Sequence, residues 1–316
     1  MNSSFRLISI ITPTLNRRQF IAEAIESVLR QDYPYIEHII VDGGSTDDTL
    51  EVLSNYPHLR VVSEPDKNLY DAINKGIQLA KGDIIGHLNS DDLYADNVLG
   101  EISHIFREHP EADVICGRAC VFEDDPEGRN RRIVSIYKEP ENLMISVKSV
   151  TLLPPIINAK FFCKSVYERV GVYNTSYPTA ADREFLLRLA IKGVKPVSFG
   201  GIVYNYRQHS GSLTITASST KRALRKLKEK KLRENLLICE TFLADYGSSS
   251  REVGYGLRRW HTLTSLKLFS LLINQRRYGE CIHCTLRGFK RRLWPIFLGH
   301  HLLRYFLVKV ARFWSI

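Results

Sequence analysis

"GDIIGHLNSDD", residues 82–92, is a glycine and an aspartate, a short apolar run, and a polar turn that ends on two adjacent carboxylates, Asp91 and Asp92. An apolar run this short, bounded by turn residues, reads as a buried strand. Asn, Ser and Asp are turn formers, so a solvated turn accounts for the residue types. It does not account for two like charges side by side at a strand end, where they repel each other.

Working outward, the same grammar recurs. "RLISIITPT" (6–14), "IEHIIVDGGS" (36–45) and "LRVVSE" (59–64) read as strands, and each empties into polar residues. Between them, "RRQFIAEAIESVLRQ" (17–31) has helical periodicity, "TDDTLEVLSNY" (46–56) reads as a helix capped by Ser45 or Thr46, and "LYDAINKGIQLAKG" (69–82) as a helix closed by Gly82. Strand and helix alternating at these spacings predict an α/β domain with a parallel sheet. In such sheets ligands sit beyond the carboxyl ends of the strands. Four polar strand ends then share one rim: Thr12 to Arg17, Asp42 to Asp48, Glu64 to Asn68, and Asn89 to Asp92. Gly43 and Gly44 leave backbone there open to a ligand.

Beyond residue 112 the alternation loosens. "ADVICGRACVF" (112–122) and "RRIVSIYK" (131–138) predict strands around an acidic turn, and "AKFFCKSVYERVG" (159–171) a strand followed by a short helix. "AADREFLLRLAIKG" (180–193) predicts a helix with Asp182 at its start, and "KPVSFGGIVYNYRQHSGS" (195–212) a strand that ends in Arg207, Gln208 and His209.

Charge divides the chain. Of its 44 Lys and Arg and 34 Asp and Glu, residues 1–215 hold 23 and 28, and residues 216–316 hold 21 and 6. The expected boundary is therefore near residue 216, with an α/β domain of residues 1–215 and a basic helical extension of residues 216–316. The N-terminal run lacks the pattern of a signal peptide and is read as the first strand. The six cysteines show no repeating spacing, and Cys281-x-x-Cys284 lacks the second ligand pair of a zinc site, so free thiols in a reducing cytosol are expected.

Five blocks, "SIITPTLNR" (9–17), "HIIVDGGSTDDT" (38–49), "SEPDKNLYDAINKGIQLAKGDIIGHLNSDD" (63–92), "AADREFLLRLA" (180–190) and "YRQHSGSLT" (206–214), together resemble the family-2 glycosyltransferases. The resemblance implies a GT-A fold, a Rossmann-like mixed sheet, and inverting transfer of a sugar from a nucleotide diphosphate, most often UDP, to a hydroxyl of a glycan or lipid-linked acceptor. It implies that Thr12, Pro13 and Thr14 line the nucleotide pocket, that Asp42 bonds the base or ribose, that Asp71 and Asn74 border the pocket, and that Lys67 and Arg207 meet the phosphates. Asp91–Asp92 falls on the family's D-x-D-type position. A Mn²⁺ or Mg²⁺ ion held there, principally by Asp92 with Asp91 nearby and His209 contributing, would bridge the diphosphate. The general base falls on Asp182, with Glu184 as second choice and helix capping as the structural alternative. The family's usual first acid of that pair is replaced by Ala181, which leaves a non-catalytic sugar-nucleotide-binding relative open. A sugar-nucleotidyltransferase would need a glycine-rich loop after the first strand, and "TPTLNRRQF" (12–20) has no glycine.

The extension interleaves Arg, Lys, Trp and Phe with Leu and Ile, and His300, His301, Arg304 and Lys309 interrupt its longest apolar stretch. Its expected partners are, in order, an anionic membrane surface, the catalytic domain or a second copy of the chain packed on its helices, and, last, nucleic acid. The expected place is the cytoplasm, peripheral to the inner membrane face.

Overall fold

The computed structural model describes residues 6–125, 130–209, 211 and 221–281. The chain divides into two compact units, Met1–Ser219 and Thr220–Ile316.

In the first unit, β1 (Ile8–Thr14), β2 (Ile36–Asp42), β3 (Arg60–Ser63) and β4 (Ile84–His87) run parallel in the order β3-β2-β1-β4. Their registers pair Thr14 with Asp42, Asp42 with Ser63, and Ile11 with His87, so all four finish on one edge. α1 (Ile21–Leu29) follows β1, α2 (Thr49–Ser54) follows β2, and α3 (Leu69–Leu79) follows β3. Ile8, Ile10, Ile11, Ile39, Ile40, Ile84 and Ile85 are fully buried between these layers, as uninterrupted apolar strands of a covered sheet must be.

Beyond β4 the sheet becomes mixed. β5 (Leu93–Tyr94) and α4 (Val98–Glu108) follow the Asp91–Asp92 turn. β6 (Val114–Asp124) forms a hairpin with β7 (Arg131–Ile136). α5 (Val147–Leu152), β8 (Lys160–Cys163), α6 (Lys164–Val170), α7 (Ala181–Ile191) and β9 (Pro196–Arg207) complete the unit. β8 is antiparallel to β4 and β6, and β9 is parallel to β6 while pairing antiparallel with β5. This last pairing brings the end of β9 back to the Asp91–Asp92 turn.

Local readings differ from the structure in three places. α2 starts at Thr49, not at a Ser45 or Thr46 cap, because Ser45 is bound to Asp42 and the Thr46 N–H donates to Asn16 Oδ1. α3 ends at Leu79 before an extended Ala80, and Gly82 serves another purpose: a Cβ there would lie 2.6 Å from the Leu7 carbonyl oxygen. α4 and β5 carried no sequence prediction. α7 buries eight of its residues, Asp182, Arg183 and Glu184 among them, so its polar side chains needed partners inside the protein.

The second unit contains α8 (Lys221–Tyr246) and α9 (Arg251–Asn274), with Leu232, Leu268, Leu272 and Cys281 in one buried cluster. Among the described residues no helix is long and apolar enough to cross a membrane. Cys284 and the aromatic, basic segment from residue 282 onward lie outside the described residues.

Gly76 sits where α3 presses on β1: a Cβ there would lie 2.3 Å from Ile11 Cγ2. Gly76→Ala is therefore expected to cost about 1–3 kcal/mol despite alanine's better helix propensity. Thermal unfolding checks this, and an unchanged or raised Tm would contradict the packing.

Candidate active site

The rim begins with Asp42, fully buried at the end of β2. Its carboxylate accepts from the backbone N–H of Gly44 (3.2 Å) and Ser45 (3.0 Å), from Ser63 Oγ (2.6 Å) and from the Ser45 hydroxyl. Gly44, at φ +86°, makes that turn possible. Asp42, expected at the base or ribose, thus braces the ends of β2 and β3.

Thr12, expected in the nucleotide pocket, does not face the rim. It is fully buried and its hydroxyl meets His38 Nε2 at 2.9 Å inside the core. Burial, and then the neighbouring His58, push His38 down to about 3, so this imidazole is neutral. Side chains alternate along a strand, and Pro13 and Thr14 follow, both buried; Thr14 Oγ1 has no protein partner. A hydroxyl left unmatched at a strand end has capacity for a ligand.

Asp71 and Asn74 are braces as well. Asp71 accepts from the Lys67 backbone N–H at 3.0 Å. Asn74 donates to the Tyr173 carbonyl (2.8 Å) and accepts from the Tyr173 N–H (3.0 Å), which ties α3 to the loop ahead of α7. The Lys67 side chain is exposed. Lys75, which the sequence reading passed over, pairs with Glu64 (2.9 Å) and Asp66 (2.6 Å), and the hydrogen bonds it donates to these acids hold its ammonium well above the usual range.

The Asp91–Asp92 turn separates its two charges. Asp92, 4% exposed, accepts from Asn89 Nδ2 (2.9 Å), the Tyr204 hydroxyl (2.8 Å) and the Arg207 backbone N–H (2.8 Å). Burial, and then the charge of Asp91, push its carboxyl up to about 7 against those three donors. The Asp91 carboxylate meets His209 Nε2 at 3.0 Å and Arg17 Nε at 3.8 Å. Of the two, Asp91 is the acid beside His209, whereas Asp92, expected as principal metal ligand, has both oxygens committed inward. The His209 ring packs at a tilt against Phe20, with ring centroids 4.4 Å apart.

Arg207, expected at the phosphates, is also turned inward. Its side chain is 4% exposed and pairs with Glu23 (2.6 Å) and Asp124. Arg17 is instead the partly exposed cation of this rim, and it donates to the Gly211 carbonyl at 3.4 Å. Arg17, Tyr204, Asn89 and Asn158, whose Nδ2 donates to the Tyr204 hydroxyl at 3.1 Å, were missed in the sequence. Strand alternation could have found Tyr204 and Tyr206 on one face of β9.

Asp182 lies in the first turn of α7, not at the cap, which is Ala180. One of its oxygens accepts from the Arg183 N–H at 2.7 Å. Glu184, the second choice for the base, is buried and bound by both Nε and Nη2 of Arg188 (2.8 and 2.9 Å). Arg188 also donates to the carbonyls of Val170, Gly171 and Val172, so this pair holds the preceding loop. The Tyr206 phenol is pushed well above its usual range by burial and then by the charges of Asp92, Tyr137 and Asp182.

Residues 9–171, just over half of the chain, match the family model described as glycosyl transferase family 2. The chain belongs to that family. A PGL/p-HBAD biosynthesis glycosyltransferase of Mycobacterium bovis is 28% identical over 188 residues, covering 58% of this chain and 69% of the relative. Among solved structures, Staphylococcus aureus TarS 1-349 superposes with a TM-score of 0.63 at 19% identity, over 91% of this chain and 82% of that one. The mannosyltransferase PcManGT of Pyrobaculum calidifontis, solved with GDP-Man and Mn²⁺, gives 0.57 at 17% identity, over 98% and 87%. These two likenesses bear on the fold: a family-2 transferase of GT-A type with helices after the catalytic unit.

The donor set is compatible with a hard divalent cation. Asp91 and His209 lie side by side, two residues that would hold such an ion, and among the described residues no group of three or more His, Cys, Asp or Glu converges. Mg²⁺ and Mn²⁺ both suit carboxylate, carbonyl and water oxygens, and Mg²⁺ is bound by one or two carboxylates plus substrate phosphates and water rather than by an all-protein cage.

The Asp92 shift fixes a pH dependence. Its folded-state carboxyl titrates near 7 against an ordinary 3.8, so protonated Asp92 favours the fold, fully below about 3.8 and progressively less as pH rises through 7. Asp92→Asn is neutral at every pH. The Tm of the variant minus that of the wild type is therefore expected to rise from pH 5 to pH 8, by about 2–4 °C for each kcal/mol of relieved strain. A difference that stays constant across that range would contradict the buried placement.

Proposed function

We propose that this chain is an inverting, nucleotide-sugar-dependent glycosyltransferase with Asp182 as general base. The observation that carries the reading is the place of Asp182 in the first turn of α7, where the other acid of that turn, Glu184, is taken by Arg188, because inversion needs a base across the sugar from the departing diphosphate. Asp182 accepts the proton of an acceptor hydroxyl while that oxygen bonds the anomeric carbon. The bond from that carbon to the diphosphate oxygen breaks, and its electron pair leaves with the nucleotide. Ion pairing leaves Glu184 unsuited to the same task.

Asp91 and His209 would hold the divalent cation, whose charge, when bound, offsets that of the diphosphate. Asp92 stays behind them as the brace of the turn, and Arg17 supplies a fixed cation at the same rim. Thr14 and the open backbone at Gly43 and Gly44 border the nucleotide, with the Asp42 brace beneath. UDP- and GDP-sugars are both candidates, since TarS has been solved with UDP-GlcNAc and PcManGT with GDP-Man. The acceptor is a hydroxyl of a glycan or lipid-linked glycan.

Asp182→Asn is expected to bind donor as the wild type does and to transfer about 10²–10⁴-fold more slowly. A donor screen by thermal shift with and without Mn²⁺, followed by single-turnover transfer, checks both parts; an unchanged rate would remove Asp182 from the role.

We infer further that the basic extension binds an anionic membrane surface. Residues 286–316 hold seven Lys and Arg and no Asp or Glu, and the start of α8 exposes Arg222, Arg225, Lys226, Lys228 and Lys230 with one acid, Glu229, among them. Each basic residue near such a surface contributes about 1 kcal/mol. Truncation after residue 285 is expected to weaken sedimentation with phosphatidylserine vesicles at least tenfold, and a full-length chain that never sediments would assign the extension to packing or to contact with a second copy.

A further inference from the structure

Arg207 shows a density of fixed contacts unusual for an arginine at a substrate rim. Its backbone N–H donates to Asp92 Oδ1 at 2.8 Å, and its Nε donates to the carbonyl oxygen of Asp91 at 2.9 Å. Nη2 meets Glu23 of α1 at 2.6 Å and Nη1 meets Asp124 at the end of β6. The guanidinium lies 4.9 Å from the ring centroid of Phe122 and 5.2 Å from that of Phe20. Arg131 pairs with the same two carboxylates, Glu23 and Asp124, from outside.

We propose that Arg207 is a positioning residue that determines which of the two adjacent carboxylates faces the donor phosphates. The inference rests on the donor reading above. A single residue holds the 91–92 peptide from both sides, its carbonyl through Nε and the following carboxylate through the main chain. With both fixed, the Asp92 side chain turns inward and the Asp91 side chain turns toward His209 and Arg17. Phe20 extends the same control to the imidazole, because its ring packs against both His209 and the Arg207 guanidinium. Reaching out to a phosphate would require Arg207 to leave Glu23 and Asp124 and to release the Asp91 carbonyl. Lysine cannot take its place, since a point charge lacks the planar fork that serves a carbonyl and two carboxylates at once.

A phosphate-binding arginine and a positioning arginine predict opposite signs when its carboxylate partner is removed. Affinities of UDP and of GDP are measured by calorimetry for the full-length wild type, Arg207→Lys and Glu23→Gln, in EDTA and in Mn²⁺. Positioning predicts metal-free affinities within about 3-fold of wild type for both variants, and a Mn²⁺-dependent gain that falls in both, by about 10–100-fold for Arg207→Lys, as for other residues that orient metal ligands. A phosphate ligand predicts weaker binding for Arg207→Lys with and without Mn²⁺, and tighter metal-free binding for Glu23→Gln, whose guanidinium is freed; that result would overturn the proposal. If Arg207→Lys does not fold, Glu23→Gln decides by its sign alone, because Glu23 is a half-exposed residue of α1. A wild type that binds neither nucleotide overturns the donor reading, and this inference with it.

Discussion

Two carboxylates in consecutive positions at the end of β4 cannot both be buried, and they repel each other if both are exposed close together. The fold resolves this by burying one and presenting the other. Burying a carboxylate costs free energy unless hydrogen-bond donors replace its water. Asp92 has three, from Asn89, Tyr204 and the Arg207 main chain, and its raised titration shows that they compensate for burial only in part. Two of the three come from β9, which is why the pairing of β9 with β5, two residues beyond the turn, matters to the site. The long return strand is the price of holding the turn.

The polar rim divides the same way throughout. Asp42, Asp71 and Asn74 satisfy backbone groups of their own loops or of the 173 segment, and Glu184 satisfies Arg188. Asp91, His209 and Arg17 are the partly exposed groups that remain. Residues of one chemical type thus serve two purposes, and what separates them is whether a backbone donor lies within reach.

That division sets what could be read from the sequence. The parallel core was legible because "RLISIITPT", "IEHIIVDGGS" and "GDIIGHL" each carry a short run of Ile, Leu or Val that ends in polar residues, and short loops leave few ways to connect them. The convergence of strand ends followed from topology. The inward turn of Thr12, Asp92 and Arg207 was not legible, because it depends on His38, Tyr204, Glu23 and Asp124, which come from elsewhere in the sequence and meet those residues only in the fold. Glu184 and Asp182 likewise differ by one partner: the Arg188 that takes Glu184 stands one helical turn away, at a spacing that the sequence does display.

The central claim is that the outward acid, Asp91, and His209 face the cation and the diphosphate while Asp92 supports them from within. Its most direct measurement is the anomalous difference density of Mn²⁺ in crystals of the chain grown with UDP or GDP. The predicted result is a peak at coordination distance from Asp91 and His209, with Asp92 still bonded to Tyr204 and to the Arg207 main chain. A peak on Asp92, with those bonds broken, would contradict the account.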